Sequence, residues 1–280
     1  VKWVPITEEQ RYKGKEDKVR LYNTPLPQDV NQAILFGKDE YNNLLPPPVF
    51  LYCGGIDPAD WKEAGSIEEG SMIAMDTMAV HNTARNTQSK KVVTKIQYAE
   101  YLARPDNPQE WYEDIVKQIV YWGQLTIIEA NNGVTATKLE EEGLGHYMLF
   151  KNSEGVICRY KANHKNLPVE LGGKLKHIKN VKAGSVDIIS DLILYIKSYL
   201  QRAVKEYGEI DYGALIRSER FIRQAKEFDP QDTKRFDLVM AKGYALMCHE
   251  NYLALLNQYK EDTFKEDEVN AMINALDKWY

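Results

Sequence analysis

The stretch that most constrains this chain is PPPVFLYCGGIDPAD, from Pro46 to Asp60. Three consecutive prolines hold the lead-in extended and remove backbone donors, so no helix enters here. Val49 to Cys53 is then apolar and rich in β-formers, and Gly54-Gly55 closes it, which predicts a buried strand over Val49–Gly55. Asp57 falls where that hydrophobic strand ends, with Pro58 preventing simple continuation. An Asp-Pro pair at this point has two readings, a turn former or a metal ligand.

Further strands are expected over Ser71–Val80 and Lys91–Ala103, joined by the polar HNTARNTQSK, to make a three-strand meander. The next segment, DNPQEWYEDIVKQIVYWG, has Asp106 or Asn107 as cap, Pro108 at the first helical position, and Trp111, Ile115, Ile119 and Trp122 on one face. That pattern predicts a helix ended by Gly123, with both tryptophans in the core. Leu125–Ile128 is a short β-run with Glu129 at its carboxyl end, so a second strand also terminates in an acid. A helix over Val134–Glu142 follows, and strand–helix alternation replaces the meander. HYMLF and VICRY predict a hairpin. Further helices are expected over Val186–Tyr207, Leu215–Phe228, from an Asp232 or Thr233 cap to Tyr259, and over Glu266–Trp279.

Composition removes several function classes. Net charge is −5, from 36 basic and 41 acidic residues, which argues against coating nucleic acid by bulk charge. Between Cys158 and Lys182, however, Arg159, Lys161, Lys165, Lys174, Lys176, Lys179 and Lys182 face Glu170 alone. The result is a basic island in an acidic chain, read either as a solvated hairpin or as a phosphate-binding surface, with Arg159, Lys174, Lys176, Lys179 and Lys182 as DNA-contact candidates. Cys53, Cys158 and Cys248 are too few and too scattered for a disulfide framework or a zinc site, which suits a reducing compartment. The five histidines show no HExxH-like spacing. No apolar run approaches the roughly 18 residues that span a bilayer, so no membrane association is expected.

Three acids stand out by position: Asp57 and Glu129 at strand ends, and Asp237 in the first turns of a late helix. Neighbouring strands bring their ends together, and a helix across that end can present a third carboxylate. Three converging carboxylates repel unless cations lie between them. Oxygen-only sites suit Mg²⁺ or Mn²⁺, and two such ions roughly 3.5–4 Å apart activate water and stabilise a leaving oxygen in phosphodiester cleavage. Asp60, Glu63 and Asp76 are auxiliary candidates, or else solvated surface acids, and Asp232 is a further auxiliary candidate beside Asp237.

GGIDPA, the blocks from YLARPDNPQEWYEDIVKQI to TIIEANNGVTATKLEEEG, and IRSERFIRQAKEF with RFDLVMAKGYAL together resemble the nuclease domain of tailed-bacteriophage terminase large subunits. The resemblance covers about Val49 to Met247. It implies an α/β, ribonuclease H-like mixed sheet, with an antiparallel meander plus parallel strands flanked by helices and a basic hairpin insertion. It also implies Asp57, Glu129 and Asp237 as ligands of two Mg²⁺ or Mn²⁺ ions that serve an endonuclease. The last motif departs from the family pattern, which commonly has paired acids: Phe236 precedes Asp237, and Met240 or Ala241 stands where an acid is usual one turn on.

By the same resemblance the substrate is concatemeric double-stranded DNA, the other partners are a portal ring and a small terminase subunit, and the setting is the host cytoplasm. No GxxxxGK[ST] occurs, so the ATPase motor that accompanies this nuclease is expected on a separate N-terminal domain. The polar, proline-broken start and a first residue that is not Met suggest a piece of a longer protein. Residues 1–45 read as a linker or extension, 46–260 as the nuclease domain and 261–280 as a helical tail. Two alternatives stay open: a resolvase- or integrase-type nuclease of the same fold, and a catalytically silent module that docks on DNA or a portal.

Overall fold

A computed structural model describes residues 18–22, 42, 50–58, 72–80, 95–105, 107–129, 134–151, 157–159, 188–207, 216–230 and 235–262. The architecture is α/β, a five-stranded mixed sheet between helices. In chain order its strands are β1 (Val19–Leu21), β2 (Tyr52–Asp57), β3 (Ile73–Ala79), β4 (Gln97–Ala103) and β5 (Leu125–Ile128). Their spatial order is β1-β4-β3-β2-β5. β2, β3 and β4 form the expected antiparallel meander, and β5 joins β2 in parallel through the helix α1 (Pro108–Trp122). β1 pairs antiparallel with β4, so part of the stretch read as an irregular extension is an edge strand of the sheet.

The central strand corrects the sequence reading in a way that matters for the site. Val49–Gly55 was expected, with the glycine pair closing it, yet the strand runs to Asp57 and the pair lies inside it. The reason is close approach on both faces. A Cβ on Gly55 would stand 2.2 Å from the Ala241 carbonyl oxygen and 2.3 Å from the Ala245 nitrogen, while one on Gly54 would stand 2.1 Å from Gln124 Nε2. Glycine inside a strand marks such an approach.

The helix pressed against Gly55 is the last described, Asp237–Asp262; between it and β5 lie α2 (Val134–Glu141), a 3₁₀ turn (Gly145–Tyr147), the hairpin β6 (Leu149–Lys151) and β7 (Ile157–Arg159), α3 (Ile188–Tyr207) and α4 (Glu219–Glu227), which makes it α5. Against the expected Leu215–Phe228, α4 begins later because Ser218 caps it, accepting a hydrogen bond from the Phe221 amide at 2.9 Å. A parallel bridge between Thr126 and Met148 sets the segment leading into β6 beside β5.

Helix α1 covers the opposite face of the sheet. Asn107 caps it, accepting from the Glu110 amide at 2.8 Å, and Gly123 ends it in the left-handed region, φ 55°, where a side chain would be strained. Trp122 packs edge-on against Tyr52 and Tyr98, with ring centroids 5.1 and 6.0 Å away, and Trp111 is buried, so both tryptophans are core as predicted. Each such aromatic pair contributes about 0.5–1.5 kcal/mol beyond area burial. Tyr101, buried on the same face, donates to Asp114 of α1 at 3.1 Å. Among the described residues no helix is long and apolar enough to cross a membrane.

Candidate functional site

Strand alternation decides which side chains face α5. Residues opposite one another in a ladder share a face, and the face repeats every second residue. Gly55 faces α5, and its row across the sheet is Arg20, Glu100, Asp76, Gly55 and Ile127. The next row toward the strand ends holds Leu102, Ala74 and Asp57. Ile56 pairs with Ile128, and the Glu129 amide donates to the Ile56 carbonyl at 2.9 Å, which carries the parallel register one residue further and sets Glu129 beside Asp57. Both acids therefore end neighbouring parallel strands on the α5 side.

Asp237 arrives there because α5 runs antiparallel to β2. Gly55 lies against Ala241 and Ala245, the Cys53 thiol lies 3.8 Å from the Ala245 carbonyl, and the Phe50 amide donates to the Tyr252 hydroxyl at 3.0 Å. From this fixed crossing, Asp237 lies four residues back along the helix, about 6 Å of rise, and Asp57 lies two residues on along the strand, about 6.8 Å. The two rises match, so the helix start and the strand end reach the same level. Asp237, Ala241, Tyr244 and Cys248 recur at helical spacing and turn one face of α5 to the sheet. Leu238 and Ala241 pack on Ala74, the cross-strand partner of Asp57. Asp57 and Asp237 are both buried, 8% and 6% exposed, whereas Glu129 is partly exposed, so the group is sunk at the sheet end with one member open to solvent. As the first residue of α5, Asp237 also complements the helix dipole.

Helix α5 sends one more polar group to this place. Tyr244 is fully buried with its Cβ against Gly55, and burial, then the Glu129 and Asp57 charges, push its phenol well above the ordinary range. Its hydroxyl makes no hydrogen bond of regular geometry among the described residues. Nothing in the sequence singled it out, because its proximity to the acids depends on Gly55 admitting the helix.

One row further in, the acids behave differently. Asp76, read from sequence as a surface acid or an auxiliary ligand, is 1% exposed, and its Oδ1 stands 2.8 Å from the Lys242 ammonium, also 1% exposed. Gln97 donates to the same carboxylate, and Lys242 lies 5.8 and 5.6 Å from the ring centroids of Tyr199 and Phe221. Burial still raises the Asp76 carboxyl against the pull of Lys242. Glu100 is held by Arg220 of α4 at 2.7 Å, both buried. These pairs tie the meander to α4 and α5.

Among the described residues no three His, Cys, Asp or Glu side chains stand close enough to enclose a metal ion. The arrangement is an in-register pair, Asp57 and Glu129, with Asp237 brought to their level by the helix. Asp60, Glu63, Asp232, Lys174, Lys176, Lys179 and Lys182 lie outside the described residues, and Arg159 ends β7. No protein-family profile matches the chain, and no curated protein is detectably similar to it.

Proposed function

We propose that the chain is a divalent-metal-dependent endodeoxyribonuclease with a ribonuclease H-like sheet, the nuclease domain of a viral DNA-packaging terminase. The observation that carries this reading is the shared row of Asp57 and Glu129 at the ends of parallel β2 and β5, with the start of α5 at the same level. The strand order β4-β3-β2-β5, antiparallel and then parallel, supports the fold, and the sequence blocks quoted above carry the terminase likeness.

The donor chemistry suits a hard cation, since the three side chains offer only carboxylate oxygens. Asp57 would hold two Mg²⁺ or Mn²⁺ ions in common, with Glu129 and Asp237 each completing one site. When bound, two such ions activate water and stabilise the leaving oxygen of a phosphodiester. The carboxylates themselves need no proton-transfer role; they hold charge and shape. The basic stretch that includes Arg159, Lys174, Lys176, Lys179 and Lys182 would grip phosphates and position double-stranded DNA without reading sequence. The remaining partners on this reading are an ATPase motor domain, a portal ring and a small terminase subunit.

The test is conversion of supercoiled plasmid to nicked and linear forms with Mg²⁺, Mn²⁺ or EDTA, beside Asp57→Ala, Glu129→Ala and Asp237→Ala. Metal-dependent cutting lost in all three supports nuclease and ligands together. A folded wild type that cuts under no metal overturns the reading in favour of a silent docking module. Cutting that survives Asp237→Ala would move the third ligand elsewhere.

A further inference from the structure

We infer that Tyr244 is a positioning residue of the sheet-end site: its phenol hydroxyl donates to the Glu129 carboxylate and orients it toward a divalent cation shared with Asp57. This rests on the metal-site reading above and goes beyond it, because Tyr244 lies inside the quoted block RFDLVMAKGYAL but neither the motifs nor the resemblance give it a role.

The geometry starts from Gly55. With no Cβ there, the α5 backbone lies directly on β2, and the Tyr244 Cβ would stand 2.6 Å from a Cβ at position 55. Tyr244 is thereby anchored two strand residues from Asp57, on the face that Asp57 and Glu129 share. Its ring is fully buried in the main core, and its hydroxyl has no regular hydrogen bond among the described residues. A buried hydroxyl left without a partner costs about 1–3 kcal/mol, and the carboxylates that end the strands on the sheet face carrying Tyr244 are Asp57 and Glu129. A phenol O–H has one proton to give, and a carboxylate has two oxygens. Donation to one Glu129 oxygen leaves the other for a cation and fixes the plane of the group, the part that outer hydrogen bonds play at metal centres.

The experiment is a calorimetric titration of Mn²⁺ into the full chain, as wild type, Tyr244→Phe and Tyr252→Phe, each also melted in EDTA. Tyr252→Phe is the control for losing a buried hydroxyl elsewhere on α5, since that hydroxyl accepts from the Phe50 amide instead. The inference predicts that Tyr244→Phe still unfolds cooperatively in EDTA, and so is folded, yet binds Mn²⁺ about 10- to 100-fold more weakly, whereas Tyr252→Phe keeps wild-type Mn²⁺ affinity. Equal affinity in wild type and Tyr244→Phe overturns the positioning role and leaves the metal site standing. A wild type that binds no Mn²⁺ overturns the metal site and this inference with it.

Discussion

Two rows of acids on one sheet face, a single side-chain step apart, have opposite surroundings. In the inner row Asp76 and Glu100 are each met by a buried base, Lys242 and Arg220. In the end row Asp57 and Glu129 meet a phenol, Tyr244, and the start of a helix that brings another acid. The inner row is the kind of carboxylate a fold can keep charged indoors, because burial without a partner costs several kcal/mol per ion. The end row concentrates like charge at a sheet edge, which is an arrangement suited to holding cations. The contrast teaches that an acid on a strand is not classified by its type or burial alone; what the facing helix presents decides its role.

That contrast is open to direct attack. The largest effect on stability is expected from Lys242→Met, which leaves the Asp76 carboxylate buried without its ammonium: about 3–5 kcal/mol by denaturant unfolding. The double variant Lys242→Met/Asp76→Leu should recover most of that loss, since an apolar pair of similar volume replaces a buried ion pair at little cost. Gly55→Ala comes next, at about 3 kcal/mol, because the new methyl meets helix backbone rather than a flexible side chain. Gly54→Ala should cost less, since its nearest clash is the movable Gln124 amide. If Gly55→Ala were neutral, the close seating of α5 that brings Asp237 and Tyr244 to the strand ends would be wrong.

Asp57→Asn separates the rows most cleanly. Removing an end-row charge should leave the metal-free unfolding midpoint within about 0.5 kcal/mol of wild type, or raise it by relieving repulsion, whereas any inner-row charge removal lowers it. The smallest effect is pH-dependent and lies halfway along α5. There the Glu250 carboxyl is lowered to about 2, chiefly by His249 and also by Lys95, against burial. A depressed acid adds stability above its usual 4.5 and loses it as pH falls through 2. Glu250 is 40% exposed, so solvent screening cuts the contribution to at most about 1 kcal/mol. Wild type and Glu250→Gln should therefore differ slightly at pH 7 and converge between pH 4.5 and 2 in melting curves.

The parts of this arrangement legible in the sequence are those written in short-range pattern. The meander, α1 with its proline and glycine ends, β5 and the two strand-end acids all follow from periodicity and capping within a few residues. What was not legible depends on contacts far apart in the chain. Gly54 and Gly55 look like a strand terminator until α5 and Gln124 are packed on either face. Asp76 looks like a surface acid until Lys242, 166 positions away, is placed beside it. Val19–Leu21 is too short to announce itself as a strand and exists through its pairing with β4. Tyr244 sits in the RFDLVMAKGYAL block with no pattern to mark it as polar machinery, and its place follows only from the helix crossing.

The most direct test of the central claim is plasmid cleavage in Mn²⁺ by the wild type and by Asp57→Asn, with both shown to be folded by their melting curves. The account predicts cutting by the wild type, abolished by EDTA and reduced on the order of 10³-fold or more in the variant, the several kcal/mol that a metal contributes to such a reaction. Undiminished cutting by a folded Asp57→Asn protein would contradict it, because the end row would then be no more than a second set of structural acids.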